Sequence, residues 1–90
     1  MLTKEGRDLM NEVFLIGKVI EDIEYKFMIK KQKNAKAKIE LKLIDETKVE
    51  VVAYNEQADY TLQNIKIRNN VFVYGKLQNS EIVINKIIKI

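Results

Sequence analysis

Ala35-Lys36-Ala37-Lys38-Ile39-Glu40-Leu41-Lys42-Leu43 decides the fold. All five odd positions are apolar and all four even ones are charged. Lys, Ala, Glu and Leu favour helix, so propensity by itself points to a helix. At ~100° per residue, however, a helix sets Leu41 nearly opposite Ile39 and leaves no clean apolar stripe. A strand sorts all nine residues onto two faces, one for a core and one for solvent. Period 2 overrides propensity, and 35–43 reads as a strand.

The neighbouring segments follow from this strand. Ile and Val supply 21 of the 90 residues, Pro is absent and Gly occurs only at 6, 17 and 75, a composition that favours strands. Residues 13–20 (VFLIGKVI) are apolar almost throughout, as in a strand covered on both sides. Gly17 within them suits a bulge or a sharp bend. Residues 23–29 put Tyr25, Phe27 and Ile29 on one face, and Lys30–Asn34 turns the chain into 35–43. A tight connection around Asp45–Thr47 leads to Lys48–Tyr54, and 71–77 and 81–90 complete the set, joined by a short loop at Gln78–Ser80. Between Tyr54 and 71, Asn55 is placed to cap a short helix over 56–63, with Ala58 and Leu62 facing inward. The expected order is one long bent strand, two strands, a helix and two strands. It forms a single domain over 11–90, preceded by an N-terminal arm over 1–10.

Ninety residues fit one domain. A domain this small has a thin stability margin, which association with a second copy would widen. The absence of both Cys and His removes disulfides, thiol nucleophiles, Cys/His metal sites and imidazole chemistry. No apolar run approaches a membrane span and the charged first dozen residues hold no signal-peptide core, so the expected location is the cytoplasm, with no membrane partner. The net charge of +3 hides an asymmetry: residues 26–42 carry seven Lys against Glu40 alone, a local +6. That is the footprint of a protein that meets a polyanion.

Five strands with a helix between the third and fourth is the order of an OB-fold, a five-stranded Greek-key barrel of the all-β class. Asn11-Glu12-Val13-Phe14-Leu15-Ile16-Gly17 resembles the N-x-V-x-L-x-G opening strand of the bacterial single-stranded DNA-binding protein family. Asp22-x-Glu24-x-Lys26-Phe27 resembles that family's D-P-E-x-R-aromatic segment. Ala35-x-Ala37-x-Ile39-x-Leu41, Val51-Val52-Ala53-Tyr54 and Val71-x-Val73-x-Gly75-x-Leu77 resemble its later strands, in family order. The chain departs from the family in having no Trp, with Lys48 where a stacking Trp is expected. Its connecting loops are short, and it stops at Ile90 without a flexible acidic tail. In that it is similar to the compact, dimeric branch exemplified by primosomal replication protein N. The resemblance implies a homodimer or homotetramer that binds single-stranded DNA in replication, repair or recombination.

Sequence-independent strand binding needs cations for the phosphates and flat aromatic faces for the bases. The outward side of 35–43 offers Lys36, Lys38 and Lys42, the preceding turn adds Lys30, Lys31 and Lys33, and Lys48 opens the next strand. Tyr54 lies in phase with Glu50 and Val52, opposite to Val51 and Ala53, and is expected outside the barrel. Phe27 suits stacking or core packing. A barrel covers only one face of the apolar opening strand, so Phe14 and Ile16, with Phe72 and Tyr74, are expected at an oligomer interface. Catalysis is not expected: the acids at 21, 22 and 24 have no nucleophile or phosphate loop beside them, and no cofactor, metal or small-molecule substrate is implied. Two other readings stay open, an OB-fold that binds mainly protein and an OB-fold that binds RNA.

Overall fold

The computed structural model describes residues 11–29 and 33–90; the expected arm over 1–10 and residues 30–32 of the turn expected over 30–34, with Lys30 and Lys31, lie outside them, and Lys33 and Asn34 are already strand rather than turn. The elements are β1 (Glu12–Val19), β2 (Glu24–Ile29), β3 (Lys33–Leu43), β4 (Lys48–Tyr54), α1 (Glu56–Asn64), β5 (Asn70–Gln78) and β6 (Glu81–Lys89). β1 and β2 are the two halves of the bent strand expected over 13–29, so α1 follows the third strand in that count.

The alternation at 35–43 is the strand face it promised. Ala35, Ala37, Ile39 and Leu41 are buried and point into the core. β3 pairs with β4 along one edge. Its other edge takes β2 first and then β1, where Gly17, Lys18 and Val19 meet Leu43, Lys42 and Leu41. Antiparallel β1–β5 and β5–β6 pairing and a short parallel β4–β6 contact complete the ring β1-β5-β6-β4-β3. The result is a closed five-strand barrel with one short helix, an OB-fold.

Inward-facing Val19, Ile39, Leu41, Val51, Val71, Val73, Ile84 and Ile87 fill the barrel. α1 adds Ala58 and Thr61, and Ile65 follows them in the core. Leu62, expected inward, is exposed; the buried stripe falls at 58, 61 and 65 instead. Thr61 tolerates burial because its hydroxyl donates to the Gln57 carbonyl at 2.7 Å, leaving its methyl group for the core. Asn55 does not cap the helix through its side chain. Its Oδ1 accepts from the Ala35 N–H at 3.2 Å, and its own N–H donates to the Ala35 carbonyl at 2.8 Å. It thus ties the end of β4 to β3. Tyr25 faces Ala37, which faces Ala53 in turn, so a large ring sits beside two small residues. The Tyr25 hydroxyl reaches Asp59 of α1 at 2.6 Å.

The turns use residues in the left-handed region. Asn79 and Ser80, both at positive φ, join Gln78 to Glu81 as a two-residue hairpin loop of the primed kind. Gly17 is not at a bulge: it pairs regularly with both Val71 and Leu43. The bend comes later, across Ile20–Ile23, and a Cβ at 17 would be tight against the Lys42 carbonyl, at 3.1 Å. The irregularity lies on the opposite hairpin. Tyr74 faces Lys86 while Gly75 faces Ile84, so Asn85 is an extra residue in β6.

A Cβ on Gly75 would collide with the Val83 carbonyl, which is backbone and cannot swing aside. Gly75→Ala is therefore expected to cost ~1–3 kcal/mol by overpacking, with the Tm falling roughly 4–8 °C for each kcal/mol in a domain of this size. Gly17→Ala, whose nearest contacts lie at 3.1–3.3 Å, is expected to be milder. Thermal melts of the two variants check the order.

Candidate nucleic-acid interface

Strand register builds the outer face of β3 row by row. Lys26, Lys36 and Tyr54 stand side by side across β2, β3 and β4. The next row is Glu24, Lys38 and Val52, with Val83 of β6 beside Val52. Then Glu40 faces Glu50, and at the far end Lys18, Lys42 and Lys48 align. Charge along this face is thus banded rather than uniformly basic.

The best-defined constellation is at the Tyr54 end. The ring of Tyr54, 37% exposed, lies under the Lys36 ammonium, 5.5 Å from its centroid. Glu81, at the start of β6, holds both groups. One carboxylate oxygen accepts from the Tyr54 hydroxyl at 2.7 Å and the other from Lys36 Nζ at 3.0 Å. Those bonds hold the Glu81 carboxyl below its ordinary pKa, the bond from Tyr54 most and then that from Lys36, with the positive charge of Lys38 adding a little. Lys36 is raised by its bonds to Glu81 and then Tyr54, and the Tyr54 hydroxyl is raised by its bond to the Glu81 anion and by burial. An aromatic face and a cation are therefore held in fixed relation on the outside of the barrel. This is what base stacking beside a phosphate requires.

The other residues singled out in the sequence fall in different places. Lys38 lines a depression of about 530 Å³ together with Glu21, Asp22, Glu24, Glu40 and Glu50, an acidic setting. Lys42 is tied to Glu46 at 2.9 Å. Lys48 is exposed at the far end of β4. Lys33 begins β3 opposite Ile29. Phe27 is 52% exposed, so it is not core packing. It pairs with Ala35, on the opposite face of β2 from Lys26, so the structure does not bring it beside Tyr54. Glu81 escaped the sequence reading, and Lys26 entered it only among the seven lysines of 26–42 and within a motif. Nothing in the local pattern shows that β6 runs parallel beside β4, and that topology is what brings Glu81 to Tyr54.

A second, apolar face lies on β1 and β5. Phe14 and Ile16 are 63% and 61% exposed. Phe14 stacks on Tyr74 at 4.9 Å and meets Phe72 at 6.3 Å. The Tyr74 hydroxyl donates to Glu12 at 3.0 Å, which raises its pKa, as does burial. The four aromatic and aliphatic residues expected at an oligomer interface thus form one contiguous patch.

No protein-family model matches the chain, and no curated protein sequence does. Solved structures match it in fold. The SSB domain of a Synechococcus sp. protein superposes with a TM-score of 0.76 at 18% identity, covering 87% of this chain and 93% of that one. The wild-type single-stranded DNA binding protein from Thermus aquaticus gives 0.79 at 20% identity, and a deletion mutant of it 0.78 at 21%. Each of these two alignments covers 89% of this chain and 40% of the other. The barrel is therefore of the same fold as these SSB proteins. Among the described residues no helix is long and apolar enough to cross a membrane.

The triad has a pH window that follows from its shifts. Glu81, lowered, contributes in full above its ordinary carboxyl range and loses that contribution as pH falls through its depressed value. Lys36 and Tyr54, both raised, contribute below their ordinary values and lose it as pH rises through the raised ones. The Tyr54 ring signal in a ¹³C-labelled NMR titration is thus expected to shift at an acid edge and an alkaline edge. Glu81→Gln is expected to abolish the acid edge.

Proposed function

We propose that this protein binds single-stranded DNA without strong sequence preference, in replication, repair or recombination, on the outer face of β3 and β4. The observation that carries the reading is the Lys36–Tyr54 pair. A stackable ring and a cation sit next to each other on a barrel that shares its fold with proteins described as single-stranded DNA binding. Bases stack on Tyr54 while phosphates exchange Glu81 for themselves on Lys36. Lys26 and Lys38 flank this position, and Lys30, Lys31 and Lys33 supply further charge from the adjoining sequence. Lys42 and Lys48 serve the far end of the face, and Phe27 offers a second ring on the other side of β2. The role is binding, with no chemistry on the strand.

The reading includes assembly. A second copy covers Phe14, Ile16, Phe72 and Tyr74, because an apolar patch of this kind is unfavourable in water and aromatics are enriched in interfaces. A homodimer satisfies this with one isologous contact, and a homotetramer with two. Sedimentation at tens of micromolar is expected to show a dimer or tetramer, and Phe14→Asp with Ile16→Asp to give a monomer; a wild-type monomer at that concentration removes the interface.

Titration with oligo-dT across a salt series tests the binding itself. Three to four lysine contacts imply a log–log salt slope of about −2 to −3 on a single strand. Tyr54→Ala is expected to weaken binding by ~1–3 kcal/mol with little change of slope, since stacking is not ionic. Replacing Lys36 and Lys38 together is expected to flatten the slope by roughly 1.4. Parallel titrations with RNA homopolymers measure the preference for sugar. Absence of salt-dependent binding to either polymer at low salt leaves the protein-binding alternative in its place.

A further inference from the structure

The far end of the same face carries a feature that the Tyr54 site does not use. Lys18 of β1 stands directly opposite Lys42, and Lys42 directly opposite Lys48. Like charges facing each other on adjacent strands are destabilising, and this row lies at the point where the barrel closes. Only Lys42 is compensated, by Glu46 at 2.9 Å; neither Lys18 nor Lys48 forms an ion pair among the described residues. Beside the row opens a depression of about 690 Å³ lined by Lys18, Lys42, Glu46 and Asn70 on the polar side and by Ile20, Ile44 and Ile90 among its apolar residues; Lys48 stands outside it, next to Lys42. Ile44 is 99% exposed, in the turn after β3. Lys18 bordering an apolar wall, with Lys48 beyond the paired Lys42, matches the chemistry of a nucleotide, with phosphate on these two lysines and a base face on the isoleucines.

We propose that this end of the barrel is a second nucleotide-binding site, occupied by the same single strand that stacks on Tyr54. Phosphates contact Lys18 and Lys48 and a base lies against Ile44. The inference rests on the strand-binding reading above and adds to it a particular path. Lys36 and Lys42 are six residues apart along β3, which at ~3.3 Å per residue places the two cation clusters ~20 Å from each other. Between them, Glu40 faces Glu50, and these carboxylates repel phosphate. The strand therefore touches down at two clusters and spans the acidic band, rather than following one continuous basic track.

The test uses the full chain, fluorescent dT4 and dT15, and the double variant Lys18→Gln with Lys48→Gln. On dT15 the wild type is expected to show a steeper salt slope than on dT4, because the longer strand reaches both clusters. The double variant is expected to lose about 1.4 units of slope on dT15, twice the value for one contact on a single strand. Its Tm is expected to equal or exceed that of the wild type, since two repelling charges are gone. Ile44→Ala is expected to weaken dT15 several-fold without changing the slope. If the double variant binds dT15 with the wild-type slope, the second site is overturned while the Tyr54 site stands. A lower Tm in the double variant would show that the row is structural and would also overturn the proposal. If the wild type binds neither oligonucleotide, both readings fall together.

Discussion

Three residue pairs turn this sheet into a barrel: Gly17 with Leu43, Lys18 with Lys42 and Val19 with Leu41. β1 spends most of its length against β5 and reaches β3 only at its last residues. The Val19 carbonyl accepts from Arg68 at 2.7 Å and its N–H donates to Asn69 at 2.9 Å, while Ile20 donates to Glu40 at 3.0 Å. The backbones of β1 and β3 approach closely where Gly17 sits, and the absent side chain there eases that approach. Once the ring is closed, the alternating strand β3 has one face dry and the other turned outward, while on β4 Val52 is buried on the outer side as well. The inner set of valines and isoleucines then packs without an open edge, and every outer residue is assigned a row.

Those rows give the surface its character. A strand pattern of alternating charge says nothing about which charge meets which, yet the outer face is determined by such meetings. Register sets Lys36 beside Tyr54, Glu40 opposite Glu50 and Lys42 opposite Lys48. Surface ion pairs such as Lys36–Glu81 contribute little to folding, about 0–1 kcal/mol. The lysine rows and the acidic band therefore have small consequences for stability and large ones for the electrostatic field an approaching polyanion meets. Glu81 is central to that field. It orders the ring and the ammonium in the free protein, and it is also the carboxylate with which a phosphate must compete.

Much of the architecture is legible in the chain because period 2 is a strong signal when kept over nine residues. The β3 alternation, a short loop at Gln78–Ser80 and the outward placement of Tyr54 all follow from local pattern, and the structure narrows that loop to Asn79–Ser80. The helix was legible in position but not in detail. Asn55 turned out to bond to the backbone of β3, a partner twenty residues away that no capping rule contains. Leu62 was drawn to the outside because Thr61, with its hydroxyl satisfied within the helix, fits the crowded end of the barrel. Gly17 was read as a bulge or bend and is instead regularly paired, while the irregularity lies beside Gly75, because only the strand partners decide which glycine it adjoins. The composition of the candidate site was partly legible. The lysines and Tyr54 were visible as residue types, whereas Glu81 and the banding of charge depend on strand neighbours distant in sequence.

The order of pairing also sets how the chain is expected to assemble. β3–β4 and β5–β6 are hairpins between adjacent segments, closed by short turns, and contacts of that kind form early because little chain entropy is lost. β1 pairs instead with β5, from the other end of the chain, and with the last residues of β3. Its contacts with β5 are the most distant in sequence and therefore the costliest in chain entropy, so the β1–β5 pairing is expected to form after the hairpins. Destabilising substitutions along β1 then speed unfolding more than they slow folding. The short β1–β3 seam completes the barrel, and Lys18 and Lys42 sit on it. A polyanion held across those lysines would bridge the seam and slow its opening, linking occupancy of the surface to the lifetime of the folded barrel.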